Sequence, residues 1–125
     1  MLIKKKSDTI HKVPQEVDVD SYPYALSSEI FHTKQLFLYS EKVKPGLSSS
    51  APHYHRTIDE IVYMVKGSLV AIEGESEVLL TDGDSICFEA NSKKYHCLEN
   101  RSDEDAQFLI IRRAISKSDV VFKEH

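Results

Sequence analysis

From Ile30 onward the chain is a series of short apolar runs separated by turn signals. Gln35 to Ser40 reads Gln-Leu-Phe-Leu-Tyr-Ser, an aromatic-rich segment of strand character. It ends near Pro45-Gly46, a turn dipeptide, followed by the flexible stretch Leu47-Ser48-Ser49-Ser50. Ile61 to Val65 is β-branched and aromatic and stops at Lys66-Gly67. Ser68 to Ile72 is the next expected strand, and Glu73-Gly74-Glu75 suits a tight hairpin turn after it. Glu77 to Leu80, Asp82-Gly83-Asp84 and Ser85 to Glu89 continue the pattern, and Gln107 to Arg112 is a further strand. Val120-Val121-Phe122 is either one more strand or part of a docked tail. No ten-residue helical periodicity separates these segments, so the pattern predicts an antiparallel sandwich or barrel.

Two runs, Ile61 to Val65 and Phe108 to Ile111, are apolar at both parities. A strand with one buried face alternates, so both of these are expected to be covered on two sides. The second cover would come from the opposite sheet with the N-terminal segment, or from a second subunit, and a homodimer is expected. Residues 1–28 are polar and irregular, with Pro14 and Pro23 opposing continuous helix or strand. This gives an N-terminal segment (1–28), a β-barrel (29–116) and a C-terminal tail (117–125).

Composition narrows the function. The chain has 125 residues, 41% hydrophobic and 29% charged, as expected of one globular domain. Sixteen Lys and Arg against 20 Asp and Glu give a net charge of −4, and the only basic run is Lys4-Lys5-Lys6. Phosphate-backbone binding needs clustered cations, so nucleic acid is not an expected partner. No apolar stretch approaches the roughly 20 residues of a membrane helix. Met1-Leu2-Ile3 before the lysines is too short for a secretory signal. Cys87 and Cys97 are too few for a disulfide scaffold and fit reduced thiols in a cytoplasmic protein. No membrane partner is expected.

Candidate chemistry concentrates in four residues. His53 and His55 are two apart, so on a strand their imidazoles share a face, and imidazole is the commonest metal ligand. Glu60 opens the apolar strand that follows and is favoured over its neighbour Asp59 as the carboxylate. His96 precedes the last strand, where a neighbouring strand would aim it at the same point. Three imidazoles and a carboxylate hold a first-row transition metal and leave positions open. Val62 and Met64 share the parity of Glu60 and are expected as an apolar pocket wall. Tyr54, Tyr95 and Cys97 alternate with the histidines and are expected to face away, while Cys87 reads as a buried small hydrophobe. His11, His32 and His125 have no partners at ligand spacing and read as surface residues; Lys93-Lys94 reads as a solvated loop.

These residues resemble the cupins. Gly46, six residues, His53-x-His55, four residues, Glu60, six residues and Gly67 look like the first cupin motif, with one extra residue in the first gap. Gly83, His96 and Asn100 match the second motif. Glu89 stands where proline is usual, Asn91 where glycine is usual, and two extra residues precede His96. Asn91 is expected to make the glycine's turn, because Asn tolerates positive φ better than most residues. The resemblance covers residues 33–113 and includes a group labelled sugar-phosphate isomerase-like.

The resemblance implies an all-β double-stranded β-helix, the jelly-roll barrel of the cupins, behind an irregular N-terminal segment. It implies His53, His55, Glu60 and His96 as ligands of one divalent transition metal: iron, manganese, zinc or nickel. The expected function is a metal-dependent enzyme on a small organic molecule, of dioxygenase or isomerase type. The alternative is a non-catalytic cupin that binds or senses a small molecule, and the family alone does not choose.

Overall fold

The computed structural model describes residues 1–14 and 17–124. Among them are strands β1 (Leu26–His32), β2 (Leu36–Val43), β3 (His53–His55), β4 (Glu60–Lys66) and β5 (Leu69–Glu73). They continue with β6 (Ser76–Leu80), β7 (Ser85–Phe88), β8 (His96–Glu99), β9 (Ala106–Arg113) and β10 (Val120–Phe122). The only helical element described is a short 3₁₀ turn at Lys6–Asp8. The strands form two five-stranded antiparallel sheets, in the orders β1-β2-β9-β4-β7 and β10-β3-β8-β5-β6. The two faces turned toward each other hold the core, as in a jelly-roll barrel.

Alternation decides what each strand puts inside. On β4, Glu60, Val62 and Met64 are buried, and the residues between them point out. Met64 sits beside Phe108 of β9, which faces Glu41 of β2 on the same rung. Val43, Leu69, Leu98 and Ala106 complete the lower core. The outward residues Ile61, Tyr63 and Val65 are 42, 44 and 41% exposed, so within one chain the second cover expected for β4 is absent. The N-terminal segment lies elsewhere. Lys12 bridges to Ser27 of β1, and His11 Nε2 lies 2.7 Å from Ser40 Oγ of β2, which makes His11 a packed residue and not a surface one.

Two segment boundaries differ from the pattern-based expectation. The first sheet already begins at Leu26, inside the stretch expected to be irregular, because Ser27, Ser28 and Glu29 pair with β2 despite their low strand propensity. Within the expected tail, β10 pairs with β3 along its whole length, from Val120 opposite His55 to Phe122 opposite His53. Turns obey their local chemistry. Asn91 adopts φ 57°, the positive value expected of it, and its N–H donates to the carbonyl of His55 at 2.7 Å. The Ala90 N–H donates to Asp59 Oδ1 at 2.8 Å, so Asp59 ties down the loop before β8.

Candidate metal centre

The site lies at one end of the barrel and draws on both sheets. In the second sheet, His53 of β3 and His96 of β8 are directly opposed, with ring centroids 4.7 Å apart. In the first sheet, Glu60 opens β4 on a rung with Phe88 of β7, and the Phe88 ring stacks on His96 at 3.9 Å and 2°. Ligand atoms of His53, Glu60 and His96 all lie within 4.8 Å of one another, and all three residues are buried. His55 stands slightly apart from that trio but reaches the same carboxylate. Its Nε2 lies 3.3 Å from Glu60 Oε2, while His96 Nε2 lies 3.3 Å from Glu60 Oε1.

Hydrogen bonds on the far side of the His53 and His55 rings fix their orientation. His53 Nδ1 donates to the Ala51 carbonyl at 2.8 Å, which directs its Nε2 lone pair inward. His55 Nδ1 donates to Asp119 Oδ1 at 2.7 Å, and Asp119 Oδ2 in turn accepts from the N–H and hydroxyl of Thr57, each at 2.9 Å. Metal-bound histidines commonly show such carboxylate support. Burial tends to raise the Asp119 carboxyl, but the bonds from His55 and Thr57 bring it down to about 2.

The same balance governs the centre. Burial would raise Glu60, yet its bonds to His55 and His96 hold it well below the usual glutamate range, so it is ionised. Burial pushes His53 below the ordinary histidine value, against its bond to Ala51, and keeps it neutral. For His55, burial lowers the value and the bonds to Glu60 and Asp119 raise it further, leaving it above the ordinary one.

This donor set fits a cation. With its Nδ1–H given to Asp119, a neutral His55 presents an Nε2 lone pair to a carboxylate oxygen, and something positive must lie between them. His96 Nε2 stands in the same relation to Glu60 Oε1, at 3.3 Å, while its other nitrogen, Nδ1, is buried with no hydrogen-bond partner. A proton answers each contact singly; one divalent ion answers them together.

Beside this cluster is a cavity of about 80 Å³, walled by His53, Glu60, His96, Ser49, Ser50 and Glu41 on its polar side. Val62, Phe88, Cys97, Leu98, Phe108 and Ile110 form the remainder. Val62 is one of these wall residues. Met64 does not line the cavity: one rung further along β4, it is fully buried in the hydrophobic core beneath. Cys97, expected to face away, contributes to the wall; burial pushes its thiol up, which keeps it protonated and a poor nucleophile. Cys87 is exposed, not buried. Tyr54 and Tyr95 pack on each other at 5.6 Å between centroids, and His32 stacks on Phe37 at 3.7 Å. His125 lies outside the described residues.

Sequence reasoning missed two carboxylates. Asp119 carries no local signal, since its role comes from the pairing of β10 with β3. Glu41 was discoverable. Phe37, Tyr39, Glu41 and Val43 alternate along β2, but the polar pair Glu41-Lys42 interrupts the apolar run after Ser40. Ser27 Oγ donates to Glu41 Oε2 across the β1–β2 pair. Burial, offset in part by that bond, raises Glu41 to about 7, with the nearby charge of Glu60 adding to the effect and Arg112 opposing it.

The family model of the cupin domain matches residues 39–112. The chain belongs to the cupin family. Its fold resembles a sugar phosphate isomerase of the cupin superfamily from Silicibacter pomeroyi, with TM-score 0.76, 25% identity, and coverage of 89% of this chain and 83% of that one. The polyketide cyclase RemF of Streptomyces resistomycificus aligns with TM-score 0.78 at 16% identity, over 100% of this cupin and 88% of its own chain. A predicted oxalate decarboxylase from Thermotoga maritima aligns with TM-score 0.63 at 23% identity, over 73% and 81% respectively. No curated protein sequence matches the chain. Cupin neighbours thus include an isomerase, a cyclase and a decarboxylase, all on one barrel.

Proposed function

We propose that this cupin is a metal-dependent enzyme of isomerase type, acting on a small organic molecule in the cavity beside His53, Glu60 and His96. His55 completes the ligand set, with Asp119 holding it in place. The ion is a divalent iron, manganese, zinc or nickel. When bound, such an ion supplies a Lewis acid that polarises a carbonyl or hydroxyl oxygen of the substrate.

The observation that carries the reading is Glu41. It lines the same cavity on the sheet opposite His53 and His96, is not one of the clustered donors, and has a carboxyl balanced at about 7. A carboxyl raised by burial and lining the same cavity is suited to pass a proton both ways. The carboxylate of Glu41 would take the proton from the carbon next to a substrate carbonyl, and its acid form would return it to the carbonyl carbon while the hydroxyl proton passes from one oxygen to the other. The substrate is rearranged with no net change in atoms or electrons. Ser27 orients the carboxyl by its hydrogen bond. Val62, Phe88 and Phe108 exclude water from the exchange. The likeness to a sugar phosphate isomerase at 25% identity supports this class of chemistry.

The test begins with elemental analysis of the purified protein and of a His53→Ala variant. Near-stoichiometric metal in the wild type, lost in the variant, is expected; equal sub-stoichiometric metal in both overturns the reading. Incubation of the loaded protein with small hydroxy-aldehydes and hydroxy-ketones in D₂O should then incorporate deuterium next to the carbonyl. Glu41→Gln should lower that exchange at least a hundredfold, the usual weight of a general base.

A further inference from the structure

Arg112 is the one Lys or Arg among the described residues on the inward face of the first sheet. It sits between Phe37 of β2 and Glu60 of β4 on a single rung. Side chains directly opposed on a sheet share a face, so Arg112 points to the same side as Glu60. Ile110, two residues earlier on that face, and Glu60, its cross-strand neighbour, both line the cavity. Arg112 therefore neighbours the cavity on that face, next to two of the residues that wall it.

Its guanidinium is held in position but makes no close ion pair. The carbon Cζ lies 5.1 Å from the centroid of the Phe37 ring and 5.9 Å from that of Tyr39, within cation–π range of both. No carboxylate among the described residues forms an ion pair with it within 4.0 Å. Its Nε is buried with no hydrogen-bond partner. The nearby acids are engaged elsewhere: both oxygens of Glu60 face His55 and His96, and Glu41 accepts from Ser27. A buried, charged N–H without an acceptor is costly, and a planar fork of donors matches a carboxylate or phosphate better than any other partner.

We propose that Arg112 anchors an oxyanion, so that the molecule taken into this cavity carries a carboxylate or phosphate group, bound by the guanidinium. As a statement about substrate it rests on the enzymatic reading above. The anchored group would leave the adjoining carbons beside Glu41 and the histidine cluster, where that reading places the proton transfer. Lysine would not replace arginine here, because a point charge offers neither the stacking on Phe37 nor the two parallel donors.

Arginine Nε–Hε resonances in ¹H–¹⁵N spectra read this site directly. Acetate and methyl phosphate are titrated separately into zinc-loaded and chelator-treated protein, and into Arg112→Gln and Arg112→Lys variants whose folding is checked by circular dichroism. A saturable shift of the Arg112 Nε–Hε resonance is expected with at least one probe, and the probe that binds assigns the anion. Arg112→Gln should weaken binding at least tenfold, with Arg112→Lys intermediate. No saturable shift with either probe, or unchanged affinity in folded Arg112→Gln, overturns the proposal. Metal stoichiometry on the same samples separates the two readings. Anion binding through Arg112 in protein that takes up no metal upholds the anchor and sinks the metal enzyme; stoichiometric metal without the shift does the reverse.

Discussion

Asp119 accepts a 2.7 Å hydrogen bond from Nδ1 of His55, 64 residues earlier in the chain. The contact exists because β10 pairs with β3, which brings the start of the C-terminal strand against the far side of the histidine pair. Support of this kind fixes a ligand's tautomer and strengthens its lone pair, and its loss commonly costs 10- to 100-fold in metal affinity. Asp119→Ala should therefore weaken metal binding by about that factor while leaving the fold intact. Competition against a chelator of known affinity checks this. Unchanged affinity would mean that His55 is not a ligand.

Glu41 gives the protein a pH dependence of defined sign. Its carboxyl is raised from 4.5 to about 7 in the folded protein, with burial the largest cause. The folded state then binds more protons than the unfolded state between these values, so stability falls as pH rises through that window. Glu60, Arg112, Tyr22 and Tyr39 are the charged or titratable groups that interact with it from neighbouring elements. Glu41→Gln mimics the protonated acid. In metal-free protein it should be more stable than the wild type by roughly 3 kcal/mol at pH 8, with the difference vanishing below about pH 4. Urea denaturation at the two pH values measures both.

How much of this was legible in the sequence depends on the range of the interaction. Strand periodicity alone puts His53 and His55 on one face and Glu60 with Val62 on another, because alternation is local. That His96 meets them follows from the opposition of β3 and β8 at a single rung, which periodicity does not encode; the cupin spacing supplied it. Met64 shares the parity of Val62 but sits one rung deeper, and depth along a barrel is invisible to parity. Ile61 and Tyr63 are apolar yet exposed, since apolar character at both parities identifies a surface without naming its cover.

Asn100 was read as a motif residue, and the structure shows what it does. It is 1% exposed and uses its whole side-chain amide. Nδ2 donates to the carbonyls of Val43 and Glu104 at 2.9 and 2.7 Å, and Oδ1 accepts from the N–H and hydroxyl of Ser102 at 3.0 and 2.7 Å. These bonds join the end of β2 to the turn before β9. Asn100→Ala would leave several buried groups unpaired, at a cost of about 2–4 kcal/mol. The metal ligands are untouched, so metal content per folded molecule should stay constant while the denaturation midpoint drops. Loss of metal at full stability would reverse the assignment.

Gly67, the last residue of the first motif, is constrained by space as well as by its backbone angle. It has φ +90° in the turn from β4 to β5, and its N–H donates to Asp82 Oδ1 at 2.7 Å. A Cβ there would lie 2.8 Å from the carbonyl oxygen of Asp105 and 3.0 Å from Cα of Ala106, both backbone atoms with little room to move. Gly46 makes the right comparison: its φ is +80°, but a Cβ would meet nothing within 4 Å. Gly46→Ala should cost only the strain of the left-handed conformation, about 1–2 kcal/mol. Gly67→Ala adds a backbone collision at the start of β9 and should cost at least about 1 kcal/mol more. Paired urea denaturation of the two variants isolates the steric part. Equal losses would show that β9 yields at Ala106, and that Gly67 is required for its conformation alone.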